Sequence, residues 1–97
     1  MLIKSKIKSI KIGKNTFIYR KEGKDFWLYS PQNLEFHTFN KNGFALLLCI
    51  AKEKFNPEII KRIRKNTQTR KFLDYLINHQ LVTEKHLKKL GLLQKRL

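Results

Sequence analysis

The chain changes its hydropathy pattern near residue 40, and this change constrains the fold more than any other feature. Before that point, short aromatic and β-branched runs over residues 16–20, 25–29 and 34–39 are separated by turn residues, as strands require. After it, apolar residues recur at helical spacing, beginning with Phe44 and Leu47. The order of the two patterns predicts an α+β domain in which helices pack on a small antiparallel sheet.

Turn residues divide the first half into three strands. Gly23, within a polar segment, predicts a hairpin between the first two strands. Pro31 and Asn33 form the next turn signal, because proline suits the second position of a turn and asparagine tolerates left-handed backbone. In the third strand, alternation puts Leu34 and Phe36 on one face and Glu35, His37 and Phe39 on the other.

Capping signals divide the second half into helices. Asn40 or Asn42 precedes the first apolar helix and is suited to cap it. The motif Asn56-Pro57-Glu58 opens a second helix with a capping side chain, a proline at the first helical position and an acid in the first turn. A third helix is predicted from about residue 69 to residue 80, and a short last helix over residues 84–90.

The lysine-rich start, residues 1–14, admits two interpretations. Ile7, Ile10 and Ile12 are interleaved with lysines, so the segment forms either an additional strand or a basic arm that orders only on binding. The sequence thus predicts one domain over residues 1–97, with a core over 15–82 and a C-terminal helical extension over 83–97. The core is predicted to be a three-stranded antiparallel sheet followed by three helices.

The chain is strongly basic, with 22 Lys and Arg residues against 7 Asp and Glu and a net charge of +15. Such a charge attracts polyanions, although a biased genome composition accounts for it equally well. The longest apolar run, residues 44–51, falls far short of the ~20 residues that a membrane-spanning helix needs. We therefore expect no membrane insertion, and the lack of a secretory signal pattern predicts a cytoplasmic protein.

No constellation of catalytic residues stands out. His37, His79 and His86 lie on different predicted elements, and no pair has the i, i+4 spacing of metal ligands on one helix face. The acidic residues form no pair suited to acid–base chemistry, and the glycines are isolated rather than grouped in a phosphate-binding loop. The sequence therefore predicts a protein that is not an enzyme and that has no metal site or cofactor.

A short sheet with three helices and a basic charge also fits a winged helix-turn-helix protein that binds nucleic acid. In that alternative the third helix enters the major groove with Gln68, Thr69, Arg70, Lys71 and Asn78. Two features count against it, because acidic and aromatic residues interrupt the polar face of this helix and no strand pair follows it. The aromatic residues of the strands are then either a base-stacking platform or core. They are Phe17, Tyr19, Phe26, Trp27 and Tyr29.

Several weak motifs in residues 29–82 occur in a recognisable order. They are Tyr29-Ser30-Pro31, His37-Thr38-Phe39-Asn40, Gly43, Glu58-Ile59-Ile60, Phe72-Leu73-Asp74-Tyr75-Leu76 and Leu81-Val82. In this order and spacing the chain resembles the PqqD-like family, the precursor-peptide recognition elements of ribosomal peptide-modification systems, whose fold is similar to a winged helix. It departs from the family pattern at residues 52–55, where the family usually has Asp-Gly, and at Gln80, where it usually has glycine.

The resemblance implies a non-catalytic domain that binds the leader of a precursor peptide and presents it to a separate modifying enzyme. The leader is expected to add to the third strand as a further strand, in a groove beside the third helix. The peptide-binding residues so implied are Leu34, Glu35, Phe36, His37, Thr38, Phe39, Arg70, Leu73, Asp74 and Ile77. An acidic leader would be attracted by Lys61, Arg62, Arg64, Lys65 and Lys71. The same open edge also allows a homodimer.

Overall fold

The computed structural model describes residues 7–93, which form four strands followed by four helices. The strands are β1 (Lys8–Ile12), β2 (Asn15–Glu22), β3 (Asp25–Ser30) and β4 (Glu35–Phe39). The helices are α1 (Lys41–Lys52), α2 (Pro57–Lys65), α3 (Thr67–Asn78) and α4 (Glu84–Lys89). The predicted α+β class is confirmed. The predictions for residues 1–6 and 94–97 lie outside the described residues.

The chain divides into two compact units, residues 1–51 and residues 52–97. The first unit contains the sheet and all but the last residue of α1. The second unit contains α2, α3 and α4. Each unit has its own buried apolar residues.

The sheet has four strands in the order β1-β2-β3-β4, and all neighbouring strands are antiparallel. This corrects the predicted three-stranded sheet, and the strand interpretation of the lysine-rich start is right over Lys8–Ile12. The reason is local. Gly13, at φ +61°, opens a two-residue turn between β1 and β2, and Gly23, also at φ +61°, opens the same kind of turn between β2 and β3. Glycine adopts this left-handed backbone without steric cost, and two-residue hairpin turns depend on it.

Phe44 of α1 lies against the inner face of the sheet. Its ring stacks on Phe26, with centroids 4.2 Å apart and planes 6° apart, and it packs at a tilt on Tyr19 at 4.9 Å. Burying one large apolar side chain stabilises a fold by about 1.5–3 kcal/mol, so this cluster decides which face of the sheet is inside. The buried apolar residues of this unit are Ile12, Phe17, Leu28, Phe39, Phe44, Leu47 and Ile50.

The loop between β3 and β4 differs from its prediction at one residue. The register closes on the pair Ser30–Glu35, and the N–H of Asn33 donates to the carbonyl of Ser30 at 3.2 Å. Leu34 therefore lies in the turn, at φ +56°, and not in the strand. Asn33 was the expected left-handed residue. In the structure the left-handed residue is instead Leu34, the last of the four loop residues.

Each of the helices α1, α2 and α4 begins at a side chain that accepts the backbone N–H three residues further along. Asn40 caps α1 with an O···N distance of 2.7 Å, so the first of the two predicted caps is the one used. Asn56 caps α2 at 2.9 Å ahead of Pro57, which confirms the predicted start. Thr83 caps α4 at 3.0 Å. Such caps satisfy backbone donors that a helix leaves unpaired at its start.

α3 begins two residues before its predicted start because Asn66 caps it. Asn66 is the one residue between α2 and α3. Its N–H donates to the carbonyls of Arg62 and Ile63, which ends α2. Its side chain accepts the N–H of Thr69 at 3.0 Å, which starts α3. A single asparagine thus serves two helix ends.

The second unit is held together by buried apolar residues and by a few polar contacts. The Nε of Arg64 donates to the carbonyl of Gly91 at 2.9 Å, and an imidazole nitrogen of His86 lies 3.1 Å from the carboxylate of Glu53. The buried apolar residues are Ile63, Leu73, Leu76, Leu81, Val82, Leu87 and Leu92. Among the helices of the described residues, none combines the length and the apolar character needed to span a membrane.

Candidate functional site

The strand β4 lies at one edge of the sheet. Within residues 7–93 it is hydrogen-bonded to β3 and forms the last strand in the order of the sheet. An edge strand has one side on which alternate residues present their backbone N–H and C=O groups away from the sheet. This is the geometry that strand addition to residues 34–39 requires.

The hairpin turns determine which residues of β4 face outward. A two-residue turn joins its flanking residues through a hydrogen bond, so Glu22 and Asp25 form a hydrogen-bonded pair. Antiparallel pairs alternate between hydrogen-bonded and non-hydrogen-bonded along a strand, and a residue that bonds one neighbouring strand faces away from the other. By this alternation, Leu28 and His37 form a hydrogen-bonded backbone pair. The backbone groups of Phe36 and Thr38 therefore face the open side of β4.

The side chains of β4 alternate between an exposed and a buried face. Phe36, which is 73% exposed, and Thr38 lie on the outer face, whereas His37 and Phe39 are buried on the inner face. The predicted sharing of one face by positions 35, 37 and 39 agrees with this alternation. The backbone groups available to a ligand therefore belong to Phe36 and Thr38. The exposed aromatic ring belongs to Phe36.

A row of apolar side chains crosses the outer face of the sheet and ends at Phe36. The register aligns Ile18 with Tyr29 and Tyr29 with Phe36 across three neighbouring strands. The rings of Tyr29 and Phe36 pack at a tilt with centroids 4.7 Å apart. Ile18 is also partly exposed. The row gives an added strand an apolar surface to extend.

A second row on the same face has polar residues at its two ends and an aromatic ring at its centre. The register aligns Arg20, Trp27 and Thr38, and the guanidinium of Arg20 lies 5.4 Å from the centre of the Trp27 ring. Arg20 also forms a 2.8 Å ion pair with Glu22. Trp27 is 45% exposed. This row therefore ends on β4 at the hydroxyl group of Thr38. The first row ends on the same strand at the ring of Phe36, two residues away.

The inner face of β4 carries an acid beside an imidazole. His37 is buried, and its Nε2 lies 3.3 Å from a carboxylate oxygen of Glu35, which is partly exposed. Residues two apart on a strand share one face, which explains the contact. Both belong to the alternate set that bonds β3, so their backbone groups are not on the open side.

The predicted aromatic platform divides between the two faces of the sheet. Phe17 is buried, and Tyr19 and Phe26 contact Phe44, so these three belong to the inner side. Trp27 and Tyr29 lie on the outer face. The prediction of one platform from all five aromatic residues is therefore wrong. The alternation along β2 and β3 was the signal that separates them.

The predicted site residues of the third helix all lie on α3, in the second unit. Arg70 and Asp74 are exposed, Ile77 is half-buried and Leu73 is fully buried. Arg70, Asp74 and Ile77 therefore have accessible surface for a ligand, whereas Leu73 has none. A groove formed jointly by the third strand and the third helix stays a prediction. The predicted electrostatic residues Lys61, Arg62, Arg64, Lys65 and Lys71 are all exposed.

Comparisons of this chain with protein-family models, with curated proteins and with solved structures yield no match. The resemblance to the PqqD-like family therefore stays a prediction that rests on the motifs in residues 29–82.

Proposed function

We propose that this protein is a non-catalytic peptide-binding domain that takes up the leader of a ribosomally synthesised precursor peptide as a fifth strand beside β4. The winged-helix description of its fold is part of the same proposal. One observation carries it: β4 is an edge strand whose outward-facing residue Phe36 is also highly exposed. Strand addition uses main-chain hydrogen bonds for affinity and alternate side chains for specificity.

The energetics make Phe36 the centre of the site. Phe36 and Thr38 together offer two N–H and two C=O groups, and each new hydrogen bond contributes about 0.5–1.5 kcal/mol net. Ordering the backbone of a flexible peptide costs about 1–2 kcal/mol per residue, so the hydrogen bonds do not hold it by themselves. Burying the ring of Phe36 adds about 1.5–3 kcal/mol. Apolar contact at this ring is therefore required for useful affinity.

The register also defines which peptides bind. A peptide residue opposite Phe36 extends the row formed by Ile18, Tyr29 and Phe36. Aromatic and β-branched cross-strand pairs are the favourable ones in such rows. We expect the bound segment to carry an aromatic or β-branched residue at this position. The residue two places away, opposite Thr38, is expected to be small or polar.

A domain of this kind performs no chemistry itself. It holds the leader along β4, and the residues beyond the bound segment remain available to a separate modifying enzyme. Holding two molecules together raises their effective concentration, which is the contribution that such a domain makes to the reaction.

The test is a selection of randomised 12-residue displayed peptides on the wild-type protein, followed by affinity measurements on the selected peptides. Thr38→Pro removes one outward N–H from β4. We expect this variant to bind the selected peptides at least about tenfold more weakly, since it loses a hydrogen bond and adds a steric block. Phe36→Ala should lose about tenfold or more, because the apolar contact is removed.

Ser9→Pro is the matched control. Ser9 is exposed on β1, the strand at the opposite edge of the sheet. It pairs with Ile18 in a non-hydrogen-bonded position, so its N–H faces away from β2. This variant carries the same substitution and should bind as the wild type does. Circular dichroism establishes that all three variants are folded. Selected peptides that bind Thr38→Pro and the wild type equally would contradict the proposal.

The runner-up function, binding of nucleic acid in place of a peptide, gives a different result in the same assay. No selected peptide would then show sensitivity to Thr38→Pro or Phe36→Ala.

A further inference from the structure

The strongest concentration of positive charge in the second unit lies where α2 meets α3. The segment from residue 61 to residue 71 contains six cations and no acidic residue. All six side chains are exposed. They are Lys61, Arg62, Arg64, Lys65, Arg70 and Lys71. We call this surface the α2–α3 basic surface.

The structure brings these cations together through one residue. Asn66 ends α2 and starts α3, so the last turn of one helix is followed directly by the first turns of the next. On α2, Lys61 and Arg62 precede Lys65 by four and three residues, which places the side chain of Lys65 next to each of theirs. The two helices contact each other. All six cations lie within five residues of Asn66 along the chain, on either side of this junction.

The residue types on this surface indicate which class of anion it binds. Three of the chain's five arginines fall within residues 62–70, and arginine is the side chain best suited to phosphate because of its planar set of donors. Thr67 and Gln68 are exposed among them and add hydrogen-bonding groups. The one apolar residue of the segment, Ile63, is buried.

A peptide-binding surface is usually centred on apolar or aromatic anchors, and an exposed anchor is missing from residues 61–71. The phosphate backbone of a nucleic acid is bound by arginine, lysine and polar donors without such an anchor. We propose that the α2–α3 basic surface binds the phosphate backbone of double-stranded nucleic acid. The one-residue junction is shorter than the turn of a helix-turn-helix motif, so the proposal concerns the backbone and not the bases.

This activity goes beyond peptide binding, because β4 contributes nothing to it. Its test therefore stands or falls independently of strand addition.

The experiment measures binding of a fluorescent 20-base-pair DNA duplex by anisotropy at several salt concentrations. The variant replaces Arg62, Lys65, Arg70 and Lys71 with glutamine. Each phosphate contact contributes about 0.9 to the slope of log affinity against log salt concentration. We expect the slope to become shallower by about 2–3.5, and the affinity at about 100 mM salt to fall at least about tenfold.

The matched control replaces Lys8, Lys11, Lys21 and Lys24 with glutamine. These residues are exposed in the first unit, and the change in net charge is the same. The control should lose less than about threefold in affinity, since it leaves the surface intact. Equal losses in both variants would overturn the proposal, because the attraction would then belong to the charge of the whole chain.

Polyglutamate is the competing probe for an acidic polypeptide ligand. We expect it to displace the duplex poorly at equal charge concentration. If it binds as tightly as DNA and loses as much affinity in the α2–α3 variant, the surface recognises acidic polypeptides and the nucleic-acid assignment is wrong. Thermal unfolding establishes that both variants remain folded.

Discussion

At the scale of single residues, two positions in the β3–β4 hairpin combine exposure with a conformational or energetic cost. Phe36 leaves most of a large aromatic ring in water, and Leu34, which is 77% exposed, adopts a left-handed backbone. Neither arrangement stabilises the isolated protein. Such costs are expected where a surface is shaped for a ligand rather than for stability.

The left-handed backbone at Leu34 leads to a stability prediction. The conformation costs a residue with a Cβ atom about 1–2 kcal/mol, and asparagine tolerates it better than leucine does. We expect Leu34→Asn to raise the free energy of unfolding by about 0.5–1 kcal/mol, measured by urea denaturation. Leu34→Ala keeps the unfavourable backbone and should change the stability by less than about 0.5 kcal/mol. The interpretation fails if the asparagine and alanine variants are equally stable.

At the scale of elements, the ends of the helices were the most predictable feature. Asn56-Pro57-Glu58 contains a complete local signal, and α2 starts there. α3 starts two residues before its predicted position, because its cap, Asn66, also ends the preceding helix. A residue with two roles has no simple sequence signature. For β1 the interleaved lysines fit a strand and a basic arm equally well, although the Gly13-Lys14 turn repeats the Gly23-Lys24 turn.

The double role of Asn66 leads to a second stability prediction. Asn66→Ala removes the side-chain acceptor of the Thr69 N–H and retains the backbone N–H that ends α2. We expect the free energy of unfolding to fall by about 1 kcal/mol, within the range of about 0.5–2 kcal/mol for lost caps. Gln68→Ala, an exposed substitution on α3, is the control and should cost less than about 0.5 kcal/mol. Similar losses in both variants would show that the cap is not important.

At the scale of the whole molecule, the dominant property is the net charge of +15 on 97 residues. Like charges repel one another in the compact state, and this repulsion opposes folding. It also makes association with any polyanion depend strongly on salt. The charge is divided unevenly, since six cations lie within residues 61–71 whereas the lysines of the first unit are dispersed along the chain.

The net charge leads to a prediction on salt. Raising the NaCl concentration from about 10 to about 100 mM shortens the screening length from about 30 to about 10 Å. We expect the Tm to rise over this range by a few degrees, measured by circular dichroism, because the repulsion is screened. The variant with glutamine at positions 8, 11, 21 and 24 should show a smaller rise. A Tm that falls with added salt would contradict the prediction.

Local sequence determined the α+β order, the starts of α2 and α4 and the alternation of residues 35–39, because turns, caps and alternation depend on neighbours within a few positions. The tertiary structure decided that β4 is an edge strand and that Phe36 and Thr38 direct their backbone groups outward. Those facts depend on the order and register of four strands, which pair residues far apart in the chain. The candidate site is thus a property of strand pairing, because its position depends on the pairing of all four strands.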